Sequence, residues 1–118
     1  MRACRRQLAI VEKQLALNPD DVRARVFGAN ALLSLGERDR GLDWTARAVV
    51  LDPEGLDTLY NAACAYARAG EADKALELLE KLTQGKPSDG QKKWMEDDPD
   101  FRSLKDHPRF RKLLAVTP

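Results

Sequence analysis

The apolar positions of this chain fall three and four residues apart, and glycine and proline punctuate them. In "DVRARVFGANALLSL", Val22, Val26, Ala29, Leu32 and Leu33 mark a helix, which Gly36 ends by offering a left-handed backbone conformation. A second helix is predicted from Arg38 to Leu51, because Asp52 precedes Pro53 and is pushed out of helical geometry. The same order of events follows in "EGLDTLYNAACAYARAG" and "EADKALELLEKLTQG". There Ala75, Leu78, Leu79 and Leu82 share one side, and Glu77 stands four residues before Lys81 on the other. Upstream, residues 3–17 read as one helix with two apolar stripes, Cys4, Leu8, Val11 and Leu15 on one and Ala3, Ile10 and Leu17 on the other. Downstream comes a short helix in "SDGQKKWMEDD". Asp98-Pro99 and His107-Pro108 then resemble helix starts, each with proline at the first helical position behind a capping side chain.

These elements repeat with a fixed period. Pro19, Pro53 and Pro87 are 34 residues apart, as are Gly36 and Gly70, and Leu8, Leu42 and Leu76. With 118 residues the chain is one domain. Residues 1–19 supply the second helix of a truncated repeat, 20–53 repeat one, 54–87 repeat two, and 88–118 a third first-type helix and capping helices. The period and the residues placed on it resemble the tetratricopeptide repeat. In repeat two the family positions fall on Leu59, Ala62, Ala63, Tyr66, Gly70, Ala75, Leu79 and Pro87. Repeat one keeps Gly28, Ala29, Leu32, Gly36, Gly41 and Pro53, but has Arg25 and Thr45 where large apolar residues are usual, which predicts weaker packing there. The resemblance implies an all-α fold, a right-handed α-solenoid of helix-turn-helix repeats with a helical C-terminal cap.

Ala62, Ala63 and Ala75 are expected where the two helices of repeat two cross, with Tyr66 and Leu79 filling the space beside them. Trp94 is expected against the open end of repeat two, and Phe101, Leu104, Phe110, Leu113 and Leu114 over the last apolar surface. This tail is similar to the endings of bacterial tetratricopeptide-repeat proteins, including regions that follow class III nucleotide cyclase or Ser/Thr kinase domains. The resemblance implies a regulatory or scaffold part of a larger bacterial protein. The two apolar sides of the first helix lead to a related expectation: either an upstream segment covers it, or two copies pair through residues 3–17 as a homodimer.

Composition narrows the function. Twenty Lys and Arg against nineteen Asp and Glu leave a net charge of +1, with no general attraction for nucleic acid or an anionic membrane. The charge is uneven: residues 1–50 carry nine basic and six acidic groups, 51–85 three and seven, and 86–118 eight and six. Cys4 and Cys64 have no metal-like spacing and read as reduced, small apolar residues of a cytoplasmic protein. No apolar run is long enough to span a membrane, and charges interrupt the N-terminal residues where a signal peptide would be apolar.

No catalytic constellation stands out, so no enzymatic activity, cofactor or metal is expected. The one histidine, His107, lies before Pro108 in a turn or capping position. Glu96, Asp97, Asp98 and Asp100 lack the alternating ligands and glycine of a calcium loop, and "GKPSDG" lacks phosphate-loop spacing. The resemblance implies a protein or peptide partner bound on the concave face lined by first helices. Candidate contacts are Arg23, Val26, Phe27, Asn30, Leu33 and Ser34 in repeat one, Asp57, Tyr60, Asn61, Cys64 and Arg68 in repeat two, and Trp94 beyond, with Gln91 and Met95 beside it. Tyr60, Asn61 and Arg68 lead that list. Asn30 and Asn61 stand where the family's carboxylate-binding grooves use asparagines, but Val26, Gln91 and Met95 stand where those grooves need bases. A mixed groove for an extended peptide or a partner helix is the expected site.

Overall fold

The computed structural model describes residues 2–115, and side chains from Arg5 onward. Cys4 and Ala3, assigned above to the stripes of the first helix, therefore lie outside the described side chains. All regular elements among the described residues are helical: α1 (Arg2–Leu17), α2 (Val22–Ser34), α3 (Arg38–Leu51), α4 (Leu56–Arg68), α5 (Ala72–Thr83), α6 (Asp89–Asp97), a 3₁₀ helix η1 (Pro99–Leu104) and α7 (Pro108–Ala115). Consecutive helices from α1 to α5 pack on one another, and α2 also lies beside α4. The result is an elongated stack of 45 × 27 × 21 Å, as expected of an α-solenoid.

The turns inside the two repeats have one construction. Gly36 and Gly70 take φ of +83° and +80°. Behind each, the chain closes two hydrogen bonds onto the preceding helix: Gly36 N–H to Leu33 O and Glu37 N–H to Leu32 O, then Gly70 N–H to Ala67 O and Glu71 N–H to Tyr66 O. A side chain at either position would be strained in that conformation, which is why glycine ends both first helices. Between repeats, the Asp21 carboxylate caps α2 by accepting from Ala24 N–H, and Thr58 Oγ1 donates to Asp52 Oδ2 at 2.7 Å.

Ala62, Ala63 and Ala75 are 2, 0 and 0% exposed and share one apolar cluster with Leu59, Tyr66, Leu76, Leu79 and Leu82. Methyl side chains let α4 and α5 approach closely there. The same cluster takes in Met95, Phe101, Leu104, Phe110 and Leu113, so the C-terminal segment completes the core of repeat two. Repeat one has a smaller cluster of Leu8, Ala31 and Leu32 with Leu35 and Trp44 against it. Its polar substitutes are accommodated: Thr45 is 2% exposed and donates to Gly41 O, and Arg25 Nε donates to Pro19 O.

The C-terminal segment stays in register with the repeats. Leu8, Leu42 and Leu76 continue at the same 34-residue step to Phe110, and Leu79 continues to Leu113. Both Phe110 and Leu113 are buried, and α7 packs on α5. One step after α4, residues 90–102 are divided between α6 and η1. The division falls at Asp98, which turns extended (φ −71°, ψ 120°) ahead of Pro99. The cap is therefore a third helix pair with a broken first member.

Candidate functional site

The first helices α2 and α4 run side by side, and their exposed sides form the expected binding face. At its start, Val22, Arg23, Val26 and Phe27 of α2 and Asp57, Thr58 and Asn61 of α4 surround a cleft of about 310 Å³. The floor is aliphatic, and the rim offers one guanidinium, one carboxylate and one amide. Val22 and Thr58 were absent from the sequence-based list; both sit in the first turn of their helices, and setting those two turns side by side is the signal that would have found them.

Farther along, Arg68 bridges the two helices. Its guanidinium donates to Asn30 Oδ1 at 3.0 Å and to Ser34 Oγ at 2.9 Å. Both asparagine amides are turned back onto their own helices, Asn30 Nδ2 to Val26 O and Asn61 Nδ2 to Asp57 O. Each amide thereby spends one of its two N–H groups inside its own helix, an arrangement unlike one that turns both asparagine amides fully toward a ligand carboxylate.

One candidate lies elsewhere than expected. Cys64 is 6% exposed, not groove-lining, because η1 packs on α4 and brings Asp98 Oδ2 to 4.0 Å from its sulfur. Burial, then the charges of Asp98 and Asp100, push its thiol up to about 12. It stays protonated at neutral pH and is a poor nucleophile. The hydroxyl of Tyr60 donates to Asp98, and its ring meets Trp94 edge-on at 4.6 Å between centroids and Phe101 at 6.0 Å. Burial and the Asp98 bond raise the Tyr60 pKa well above the ordinary phenol value. Tyr60 and Trp94 thus fasten the cap, Trp94 against repeat two as expected, and with Leu56, Asp57, Leu82 and Gln91 they line a cleft of about 420 Å³. Of their neighbours, Met95 is 1% exposed, and the Gln91 side chain accepts from Ser88 N–H in a capping box at the start of α6.

His107 takes the capping role expected of it: Nδ1 accepts from Arg109 N–H at the start of α7, and Nε2 lies 3.8 Å from Asp73. Beside it the Arg109 guanidinium pairs with Glu80 and ties α7 to α5. No helix among the described residues is long and apolar enough to cross a membrane.

No protein-family model matches the chain. Over 81 residues, 69% of its length, it is 33% identical to Protein IFIT1 homolog B of Homo sapiens. The chain spans about 17% of that relative's length. With the 34-residue period, the glycine-turned helix pairs and this similarity together, the chain is built of tetratricopeptide-like helical repeats.

Proposed function

We propose that the chain is a non-enzymatic protein-interaction module that holds an extended peptide across the face shared by α2 and α4. The observation that carries this reading is the cleft of about 310 Å³ between them. That volume suits one apolar side chain of a peptide more than a whole small ligand. Val22, Val26 and Phe27 would take the side chain, Arg23 and Asn61 would face the peptide backbone, and Arg68 stiffens the far end of the face. Asp57 favours a peptide with a basic residue nearby. A regulatory role beside a cyclase or kinase domain rests on the resemblance of the tail alone, and the coding sequence around these residues tests it. Self-association through α1 is the competing reading, which the exposed basic side chains Arg5, Arg6 and Lys13 on that helix oppose.

The test is selection of dodecamer peptides from a random library against the full chain, followed by titration of the selected sequences. Asp57→Ala with Asn61→Ala should weaken binding by about tenfold or more, roughly 1.4 kcal/mol, with helicity and melting temperature unchanged. Selected peptides that bind this double variant as well as the native chain would move the site off the α2–α4 face.

A further inference from the structure

We propose that the face shared by α1 and α2 is a second docking site, one that takes an acidic amphipathic α-helix from a partner protein. It shares Phe27 with the α2–α4 cleft but is built on α1, and it does not depend on the reading given for that cleft. Ile10 and Phe27 are 59 and 49% exposed there. With Arg6, Gln7, Val11 and Gln14 they line a depression of about 500 Å³.

The repeats themselves state what fits such a face. In repeat one, α3 presents Gly41, Thr45 and Ala48 to α2, so closely that a methyl group at Gly41 would sit 3.2 Å from Ala29 O. In repeat two, Ala75, Leu79 and Leu82 of α5 share a core with α4. Thirty-four residues before Gly41, Thr45 and Ala48 stand Gln7, Val11 and Gln14 of α1. These are second-helix positions that a first helix covers in both other pairs; here Val11 is buried beside Gly28 of α2, while Gln7 and Gln14 stay exposed. The matching occupant is a helix with apolar side chains along one face.

Two features distinguish this seat from those inside the repeats. Gln7 stands where Gly41 and Ala75 allow close approach, so an occupant rides farther out and packs less tightly. That favours an exchangeable partner over a permanent core element. The rim is also basic. Arg6 lines the depression, Lys13 is exposed on the same helix, and Arg23 lies one turn before Phe27. The acid on α1, Glu12, is occupied elsewhere, 3.6 Å from Arg40 of α3. A second copy of α1 would set these basic groups against their own images, whereas acidic flanks on a partner helix would complement them.

The test uses two fluorescein-labelled helical peptides of about 18 residues. Both carry leucine at i, i+3, i+4 and i+7, one with glutamate and one with lysine at the flanking positions, and each is titrated into the full chain by anisotropy. The glutamate peptide should bind saturably, weaken as salt rises from about 0.05 to 0.3 M, and exceed the lysine peptide by about tenfold or more. Ile10→Asp should abolish the preference at unchanged melting temperature, since the side chain is mostly exposed, whereas Asp57→Ala with Asn61→Ala should leave it intact. Equal binding of the two peptides, or binding indifferent to Ile10→Asp, overturns the proposal. A concentration-dependent dimer that Ile10→Asp dissolves assigns the seat to a second copy and overturns it as well. So would a longer form of the protein whose own preceding residues shut out the glutamate peptide.

Discussion

Tyr60 of α4 donates its hydroxyl proton to Asp98, 38 residues later, and this bond closes the C-terminal segment over repeat two. Asp98 does two further things: its other oxygen caps η1 by accepting from Asp100 N–H at 2.9 Å, and its carboxylate lies over the Cys64 thiol. Tyr60→Phe keeps the ring contacts to Trp94 and Phe101 and removes only the donor. It should lower unfolding free energy by roughly 1.5–3 kcal/mol, the range for a hydrogen bond to a charged group. Tyr60→Ala also loses the two edge-on ring contacts, each worth about 0.5–1.5 kcal/mol. Urea denaturation of the two variants checks the order; equal stability of Tyr60→Phe and the native chain would show that the hydroxyl carries none of the docking energy.

Local rules made most of the helices legible, because their boundaries rest on residues that act over one turn. Gly36 and Gly70 set the ends of α2 and α4, and α3 runs from Arg38 to Leu51, as Pro53 requires. Cys64 was misplaced for the opposite reason. Its surroundings come from Asp98, more than 30 residues away, and no local pattern on α4 distinguishes a groove wall from a seat for the cap. One long-range signal was present in the sequence: the series Leu8, Leu42, Leu76 continues at the same step to Phe110. Followed that far, it marks α7 as a fourth second-type helix and implies that α4 has a neighbour on its other side.

The crossing of α4 and α5 can be tested by volume alone. Ala63 and Ala75 are both 0% exposed, so neither can turn an added side chain toward solvent. Ala63→Leu should destabilise the chain by roughly 1–3 kcal/mol through overpacking, lowering the melting temperature by several degrees. Ala63→Gly should act by a different route, losing helix propensity worth about 1 kcal/mol with no steric strain. A Leu variant as stable as the native chain would mean that the two helices separate at little cost.

Alkaline pH should loosen the same region. Cys64 and Tyr60 ordinarily lose their protons near 9.0 and 10.0, but folding raises both, Cys64 to about 12 and Tyr60 higher, through burial and the nearby Asp98. From about pH 9 to 12 the unfolded chain therefore releases protons that the folded chain keeps. The unfolded state binds fewer protons there, so stability falls as pH rises, while below about pH 9 the contribution is complete and flat. Urea midpoints measured from about pH 8 to 11 should decline from the lower part of that window. Cys64→Ala with Tyr60→Phe should flatten the decline to the part carried by Tyr66, whose pKa burial also raises.

Thiol chemistry reports directly on whether the cap is closed. Cys64 is buried, its thiol pushed up to about 12, and the nearby carboxylates of Asp98 and Asp100 belong to the segment that Asp98 fastens. In a Cys4→Ser background, where only Cys64 can react, iodoacetamide should modify the native chain far more slowly than the unfolded chain, since both access and thiolate are withheld. Asp98→Ala removes the acceptor for Tyr60, the cap of η1 and one negative charge beside the sulfur. The loss of the cap alone is worth about 1 kcal/mol, which raises the population of open states about fivefold, and the lost charge lowers the thiol pKa. Labelling should therefore quicken by about fivefold or more while far-ultraviolet circular dichroism stays the same. Asp100→Ala separates the two effects: it removes a neighbouring charge and leaves the Tyr60 bond in place, so its labelling rate should rise less. If Asp98→Ala and the native chain label at the same rate, Cys64 is protected by the α4–α5 packing alone and Asp98 does not hold the cap shut.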